Sequence, residues 1–430
     1  MSNQITPNLT AETKRYTVSI VRGENVVDRV NKAIELVGGM KRFVKKGDKV
    51  LIKANLVDGK PYETGETAHP ETLRTIIKQA KTAEASQVKV GDAVTSWDLT
   101  LYNAVAKIAE EEGAEWVDLG RSPRAEVKVE NPVFFEKVSV AKELVECDVL
   151  INVGTLKTHH LAGVTVAMKN LYGVLELQDR IKYHRLDKLE EVIVDLNLVK
   201  PSSLIVVDGG YTTHHWPAFE VQKMDLAMAG NNVVLVDAVA AKVMGADPKA
   251  IRYLRWAEEH GLGSANIEKH QILGLTIEEA YRSKTVNMVD FINKESENIR
   301  IINQGACTGC YGRLSTVTMQ RFDIHSAKTK LYVLMGPNAK PPNPMEKDST
   351  FILCGNCLAP TFYNRLQGTH VPGCPPDLEV FAQELSKYLA PRRRLTRQEW
   401  EKIHKDMEAR GIKLPKDFKP PFSQEQQRDL

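Results

Sequence analysis

The chain has 430 residues, 42% of them apolar and 26% charged, with a net charge of +3. That balance is ordinary for a globular protein with room for two or three cores; the charge sits in the last forty residues, and the body, at about −1, is not a basic nucleic-acid binder. No apolar run of about 18 residues is present to cross a bilayer, and the start, Met1-Ser2-Asn3-Gln4-Ile5-Thr6, has no apolar signal core, so a cytoplasmic location is expected.

In chain order, Tyr16–Val21 and Lys49–Lys53 read as strands around an amphipathic helix at Val26–Val37. Helices are predicted at Glu71–Ala83 and Leu101–Gly113, each followed by a strand, Val88–Asp92 and Ala114–Leu119. This alternation predicts a parallel sheet covered on both faces, with ligands at the carboxyl ends of its strands. Lys53, Asn55 and Asp92 fall at or just after such ends.

Asp148–Gly154 reads as a strand leaving into a loop, Thr155–Gly163. Ser203–Gly210 is a strand with a glycine-rich exit. Asn232–Asp237 reads as a strand running into a helix, Ala238–Met244, and Ala250–His260 as a further helix. The G-x-G-x-x-G spacing of a dinucleotide fingerprint is absent. A third region, Ile299–Leu389, has strands at Ile299–Ile302, Lys330–Met335, Ser349–Leu353 and Gly368–Val371. Helices are predicted there at Tyr311–Arg321 and Leu378–Leu389. From Pro391 on, eleven Lys/Arg accompany seven Asp/Glu in a basic tail. The expected fold is therefore α/β: two parallel or mixed-sheet lobes, 1–135 and 136–295, then a small flavodoxin-like α/β domain, 296–390, and the tail, 391–430.

Five of the six cysteines lie in that third region: Cys307-Thr308-Gly309-Cys310, Cys354-Gly355-Asn356-Cys357, and Cys374 within Val371-Pro372-Gly373-Cys374-Pro375-Pro376. Each segment begins where a strand ends. In a reducing compartment C-x-x-C pairs are metal ligands more often than disulfides. A [4Fe–4S] cluster needs four thiolates converging from such loops. Two C-x-x-C pairs also satisfy tetrahedral zinc, though that leaves Cys374 unexplained. Cys147 stands alone and reads as a small packed residue.

These motifs resemble the proximal-cluster domain of the small subunit of nickel–iron hydrogenases and the related quinone-reductase subunit of respiratory complex I, over about 80 residues. The resemblance implies Cys307, Cys310, Cys357 and Cys374 as cluster ligands. Cys354 is a fifth thiol; Gly355-Asn356-Cys357 matches the glycine-x-cysteine loop of that family and favours Cys357 over Cys354 as the third ligand.

The second dense motif is Leu156-Lys157-Thr158-His159-His160 followed by Met168-Lys169-Asn170-Leu171-Tyr172-Gly173. Cationic and amide side chains packed this closely suggest an anion-binding or acid–base pocket; a polar surface loop is the plainer alternative. Lys157 and Lys169 are candidates to hold a carboxylate or phosphate, His159 to transfer a proton, and Asn170 to share the catalytic site. His69, His184 and the doublet His214-His215 raise the question of a second metal site, for which three or four would have to converge with Asp92 or Asp208. With Lys53-Ala54-Asn55-Leu56, Gly91-Asp92-Ala93 and Val207-Asp208-Gly209, the pattern resembles the prokaryotic family known as domain of unknown function 362, across residues 15 to 290. That likeness implies the same fold and places Lys53, Asn55, Asp92 and Asp208 as binding residues. It names no reaction.

Together these readings lead to an iron–sulfur protein, a redox enzyme coupling a [4Fe–4S] cluster to a polar anion-binding pocket. The alternative is an electron-transfer or binding subunit docked to an oxidoreductase. Expected partners are a redox protein such as a ferredoxin or flavoprotein and a small anionic substrate. Self-association is compatible with the sequence; nucleic acid and membrane are not expected.

Overall fold

A computed structural model describes residues 15–96, 98–214, 220–282, 287–358, 366, 368–392, 398, 401, 402 and 405. The chain divides into two compact units. One comprises residues 1–291 with 304–312; the other comprises 292–303 with 313–430.

The larger unit holds β1 (Thr17–Arg22), β2 (Lys49–Lys53), β3 (Gln87–Asp92), β4 (Glu115–Asp118), β5 (Arg124–Lys128), β6 (Lys137–Ala141), β7 (Val149–His159), β8 (Gly163–Thr165), β9 (Leu204–His214), β10 (Glu220–Gly230) and β11 (Gln271–Gly274). Nine of these form one sheet in the order β11-β1-β10-β9-β7-β2-β3-β4, with β8 paired to β7; β5 and β6 form a separate ribbon. The run β9-β7-β2-β3-β4 is parallel, while β10 is antiparallel to both β1 and β9. The expected α/β class is met. The two lobes read from the sequence contribute to one sheet, because β7 lies between β2 and β9 and β1 pairs with β10.

Alternation along the strands explains why the sheet is covered twice. Leu51, Leu150, Ile205 and Val207 enter one core with the helices Leu189–Val199, Val233–Val243 and Arg252–Glu259. Their neighbours Val50, Ile52, Val149, Ile151, Val153, Leu204 and Val206 enter the other, against Val26–Leu36, Pro70–Thr82 and Thr100–Glu111. Each fully buried branched side chain contributes on the order of 1.5–3 kcal/mol, so both layers depend on the two-residue period.

Three local expectations are corrected. Val233–Val243 is a helix throughout, not a strand followed by one. Asn232 caps it by accepting from the Leu235 amide at 3.0 Å, and nearly every side chain of the helix is buried, so tertiary packing overrides the β-propensity of Val233-Val234-Leu235-Val236. Thr155–His159 is not a loop but the far half of β7, in a hairpin with β8 that pairs Lys157 with Thr165 and His159 with Gly163. The glycine-rich exit at Gly209-Gly210 is likewise strand, since β9 runs on to His214 against β10.

In the smaller unit β12 (Ile299–Asn303), β13 (Leu331–Met335), β14 (Thr350–Cys354) and β15 (Gly368–Val371) form a parallel sheet in sequential order. Asn303, Met335, Cys354 and Val371 stand in register at its carboxyl edge. Among the described residues no helix is long and apolar enough to cross a membrane. The basic tail lies almost wholly outside the described residues.

Candidate functional site

The carboxyl ends of β2, β3 and β7 surround a cavity of about 230 Å³. Asn55, Asp92, Lys157, His159, Lys169 and Asn170 line it, together with Glu66, His160, Tyr172, Arg180 and His184. Its floor is a buried polar network. Lys53, at the end of β2, donates to Asp92 Oδ1 at 2.6 Å, the Ala54 carbonyl at 2.6 Å and Asn170 Oδ1 at 3.1 Å. Three ammonium hydrogens thus meet three acceptors. Burial lowers the Lys53 pKa, and the Asp92 carboxylate opposes that shift. Asp92 is equally engaged, taking the Ala93 and Leu56 amides at 2.8 and 2.7 Å as well as Lys53.

Asn170 joins the strands. Its Oδ1 accepts from Lys53 and from Asn55 Nδ2 at 3.0 Å, while its Nδ2 reaches Asn152 Oδ1 at 2.8 Å and the carbonyls of Lys53 and Val153 at 3.1 Å. Gly173 lets the Lys169–Val174 turn settle on this network: a Cβ there would come within 2.5 Å of Asp92 Oδ1 and 2.8 Å of Lys53 Nζ. The turn is held from behind by Asp237, which accepts from the Ala167 amide at 2.9 Å, the Met168 amide at 3.2 Å and the Tyr253 hydroxyl at 3.2 Å. Burial pushes Asp237 up to about 7 against those donors.

Lys157 is set differently. It is buried, and its Nζ donates to two uncharged oxygens, Asn55 Oδ1 at 2.8 Å and the Glu66 carbonyl at 2.6 Å. Burial brings its pKa down to about 7, against the charge of Glu66, whose carboxylate binds Lys60 at 2.8 and 2.9 Å. Two acceptors match the two N–H groups of a neutral amine. Lys169, half-buried, is lowered to about 8 by burial and then by the charge of Arg180; its Nζ lies 5.9 Å from the Tyr172 ring centroid.

His159 Nδ1 accepts from the Leu161 and Ala162 amides, both at 3.2 Å, which places the ring proton on Nε2. Its ring stacks on His160 at 4.7 Å and lies 6.2 Å from His184. Burial and then the charge of Lys169 push His160 down to about 4 and His184 down to about 3, so both are neutral at physiological pH. Arg180 and His184 share one face of the helix Leu177–Arg185 at an i,i+4 spacing. His160 stands within the Lys–His motif without a role read from it, and Arg180 lies outside the Lys–His–Asn motifs altogether. The charged stretch Asp179-Arg180-Ile181-Lys182-Tyr183-His184 was the available signal, and it lacks an apolar stripe to mark its inner face.

Asp208 is not brought to the cavity. It accepts from the His69 amide at 2.9 Å, Thr72 Oγ1 at 2.6 Å and the Gly210 amide at 3.0 Å, with Arg29 at 3.9 Å, and so anchors the start of the helix Pro70–Thr82. His69 caps that helix through Nδ1. His214 ends β9; His215 lies outside the described residues. Among the described residues no group of three or more His, Cys, Asp or Glu side chains is placed to hold a metal ion.

Of the cysteines, Cys307 and Cys310 belong to the larger unit, and Cys354, Cys357 and Cys374 to the smaller. Thr308, between the first pair, donates to Glu190 at 2.5 Å and accepts from the Arg252 amide at 3.1 Å. In the smaller unit the two cysteine loops are laced together beyond β14 and β15. The Gly355 amide reaches the Val371 carbonyl at 3.0 Å, the Asn356 amide the Gly373 carbonyl at 2.9 Å, and the Gly373 amide Asn356 Oδ1 at 2.7 Å. Cys354 is buried, Cys357 and Cys374 exposed. Cys147 is buried, with its thiol pushed up to about 11, as suits a packed residue.

The site is thus a cationic, largely buried pocket at the carboxyl edge of a mixed α/β sheet. Residues 50–242, which include every lining residue, match the model of the family described as Domain of unknown function (DUF362), and this supports placing that segment in the family. Over 275 residues the chain is 24% identical to the thylakoid-associated protein sll1697 of Synechocystis sp., covering 59% of this chain and 82% of that protein. Among solved structures, the lactate racemase apoprotein of Thermoanaerobacterium thermosaccharolyticum aligns with a TM-score of 0.35 at 19% identity, over 50% of this chain and about half, 54%, of that one. At that level the likeness carries no information about the site.

Proposed function

We propose that the larger unit is the body of an enzyme that binds a small anionic substrate and moves a proton on it, with Lys157 as the base. The observation that carries this reading is the setting of Lys157: buried, donating to two neutral oxygens, with a pKa near 7. A catalytic base serves best when its pKa lies close to the operating pH. Lys169, lowered less, remains cationic near pH 7 and stabilises negative charge as it develops on the substrate. Asn55 orients Lys157 through its Oδ1, and the saturated Lys53–Asp92–Asn170 network holds Asn55 in place.

We further propose that Cys307, Cys310, Cys357 and Cys374 hold a [4Fe–4S] cluster, which when bound supplies single electrons. The thiol chemistry suits such a group, and two of the three cysteine loops follow the carboxyl ends of parallel strands. Among the described residues these thiols do not form a gathered ligand set.

The experiment is a proton-exchange assay. A panel of small carboxylic acids and phosphate esters is incubated with the protein in deuterated buffer, and C–H exchange is followed by NMR. The proposal expects exchange in at least one compound, lost in Lys157→Met. Bound compounds whose exchange is unaffected by that substitution would overturn it.

A further inference from the structure

The anion needs an anchor, and the lysines do not complete one. Arg180 enters the cavity from the helix Leu177–Arg185, and its Nε and Nη1 are buried without a hydrogen-bond partner. Its position is fixed from outside the guanidinium: the Tyr172 hydroxyl donates to the Arg180 carbonyl at 2.8 Å, tying the helix to the turn that carries Lys169. Among the described residues nothing accepts a hydrogen bond from Lys169. The carboxylates that line the cavity are already engaged. Asp92 holds Lys53 and two amides, Glu66 holds Lys60, and Asp58 accepts from Thr95 at 2.8 Å. His160 and His184 add donors but no counter-charge. Guanidinium donors that are buried and empty are costly, and an oxyanion is the group that offsets them.

We infer that Arg180 and Lys169 form an oxyanion-anchoring subsite for the carboxylate or phosphate head of the substrate, with the reacting part of that molecule extending toward Lys157. The assignment rests on the acid–base reading of the pocket. It adds the substrate class and the residue that recognises it. The guanidinium presents planar, always-charged donors that match a carboxylate or phosphate, which an ammonium cannot do. The cavity, at about 230 Å³, suits a small molecule.

The test is calorimetric titration of the full chain with inorganic phosphate and, separately, with acetate, against chloride at equal ionic strength. Wild-type protein is expected to bind at least one of the two oxyanions. Phosphate alone would point to a phosphorylated substrate, acetate to a carboxylic acid. Arg180→Met should weaken binding by at least about tenfold, and Arg180→Lys should recover part of it. A second readout separates this from a structural role: without ligand, Arg180→Met should melt at or above the wild-type temperature, because two buried, unpaired donors have been removed. Wild-type protein that binds neither oxyanion, or Arg180→Met that binds like wild type, would overturn the assignment. If Lys157 still titrates near neutrality in that case, the anchor fails and the acid–base reading stands. Oxyanion binding through Arg180 with an ordinary Lys157 would mean the reverse.

Discussion

Lys53 and Lys157 are buried lysines on neighbouring strands, and their partners give them different tasks. Lys53 meets a carboxylate and two further acceptors, so its charge belongs to the framework. Lys157 meets only neutral oxygens. The consequence for stability has a definite sign. The folded pKa of Lys157, about 7, lies below its unfolded value of about 10.4. Between those values the unfolded chain binds more protons, so stability gains from this group as pH rises through the window, by up to about 1.4 kcal/mol per pH unit. Urea denaturation of wild type and Lys157→Met from pH 6 to 10, read as a difference between the two, should show that rise; a flat difference would argue for an ordinary lysine. Gly173 is the other sensitive position. Gly173→Ala should cost about 1–3 kcal/mol by forcing a methyl onto the Lys53–Asp92 pair, measurable as a lowered denaturation midpoint with an unchanged slope.

At the scale of elements, the pocket depends on how the Lys169–Val174 turn is seated. Asp237 holds that turn from the helix Val233–Val243 by accepting from the Ala167 and Met168 amides. Asp237→Ala leaves those donors and the Tyr253 hydroxyl without their partner. It should cost about 1–3 kcal/mol and displace Lys169, so that oxyanion binding falls together with stability. Denaturation and calorimetry on the same preparation check this. This helix also marks where sequence reading stops. The strands Lys49–Lys53 and Leu204–Val207 are visible as short apolar runs, but Val233-Val234-Leu235-Val236 is just as apolar, and periodicity cannot separate a strand from a helix buried all round. Thr155–His159 looked like a loop because its polar residues follow a strand; the β8 hairpin partner that keeps it extended is supplied by tertiary pairing. Lys157, His159, Lys169 and Asn170 were legible because they crowd together in the sequence. Arg180 was not, because its role comes from a helix face that only packing defines.

For the whole molecule, the cysteine-bearing segments and the pocket make separate claims. Anaerobic reconstitution with iron and sulfide should load about four iron atoms per chain, and Cys374→Ser should reduce that loading while the fold is kept, as read by circular dichroism. Iron content near zero in the reconstituted wild type would remove the cluster from the account and leave the pocket untouched. The pocket predicts its own pH profile: activity requires Lys157 deprotonated, above about 7, and Lys169 protonated, below about 8, hence a bell with its maximum between them. The protonation state of Lys157 decides whether the pocket can act as an acid–base site. The direct measurement is an NMR pH titration of the protein with isotope-labelled lysine side chains, the Lys157 signal being assigned by its loss in Lys157→Met. A midpoint near 7 is the predicted result, and a midpoint near 10, as in an exposed lysine, would contradict it.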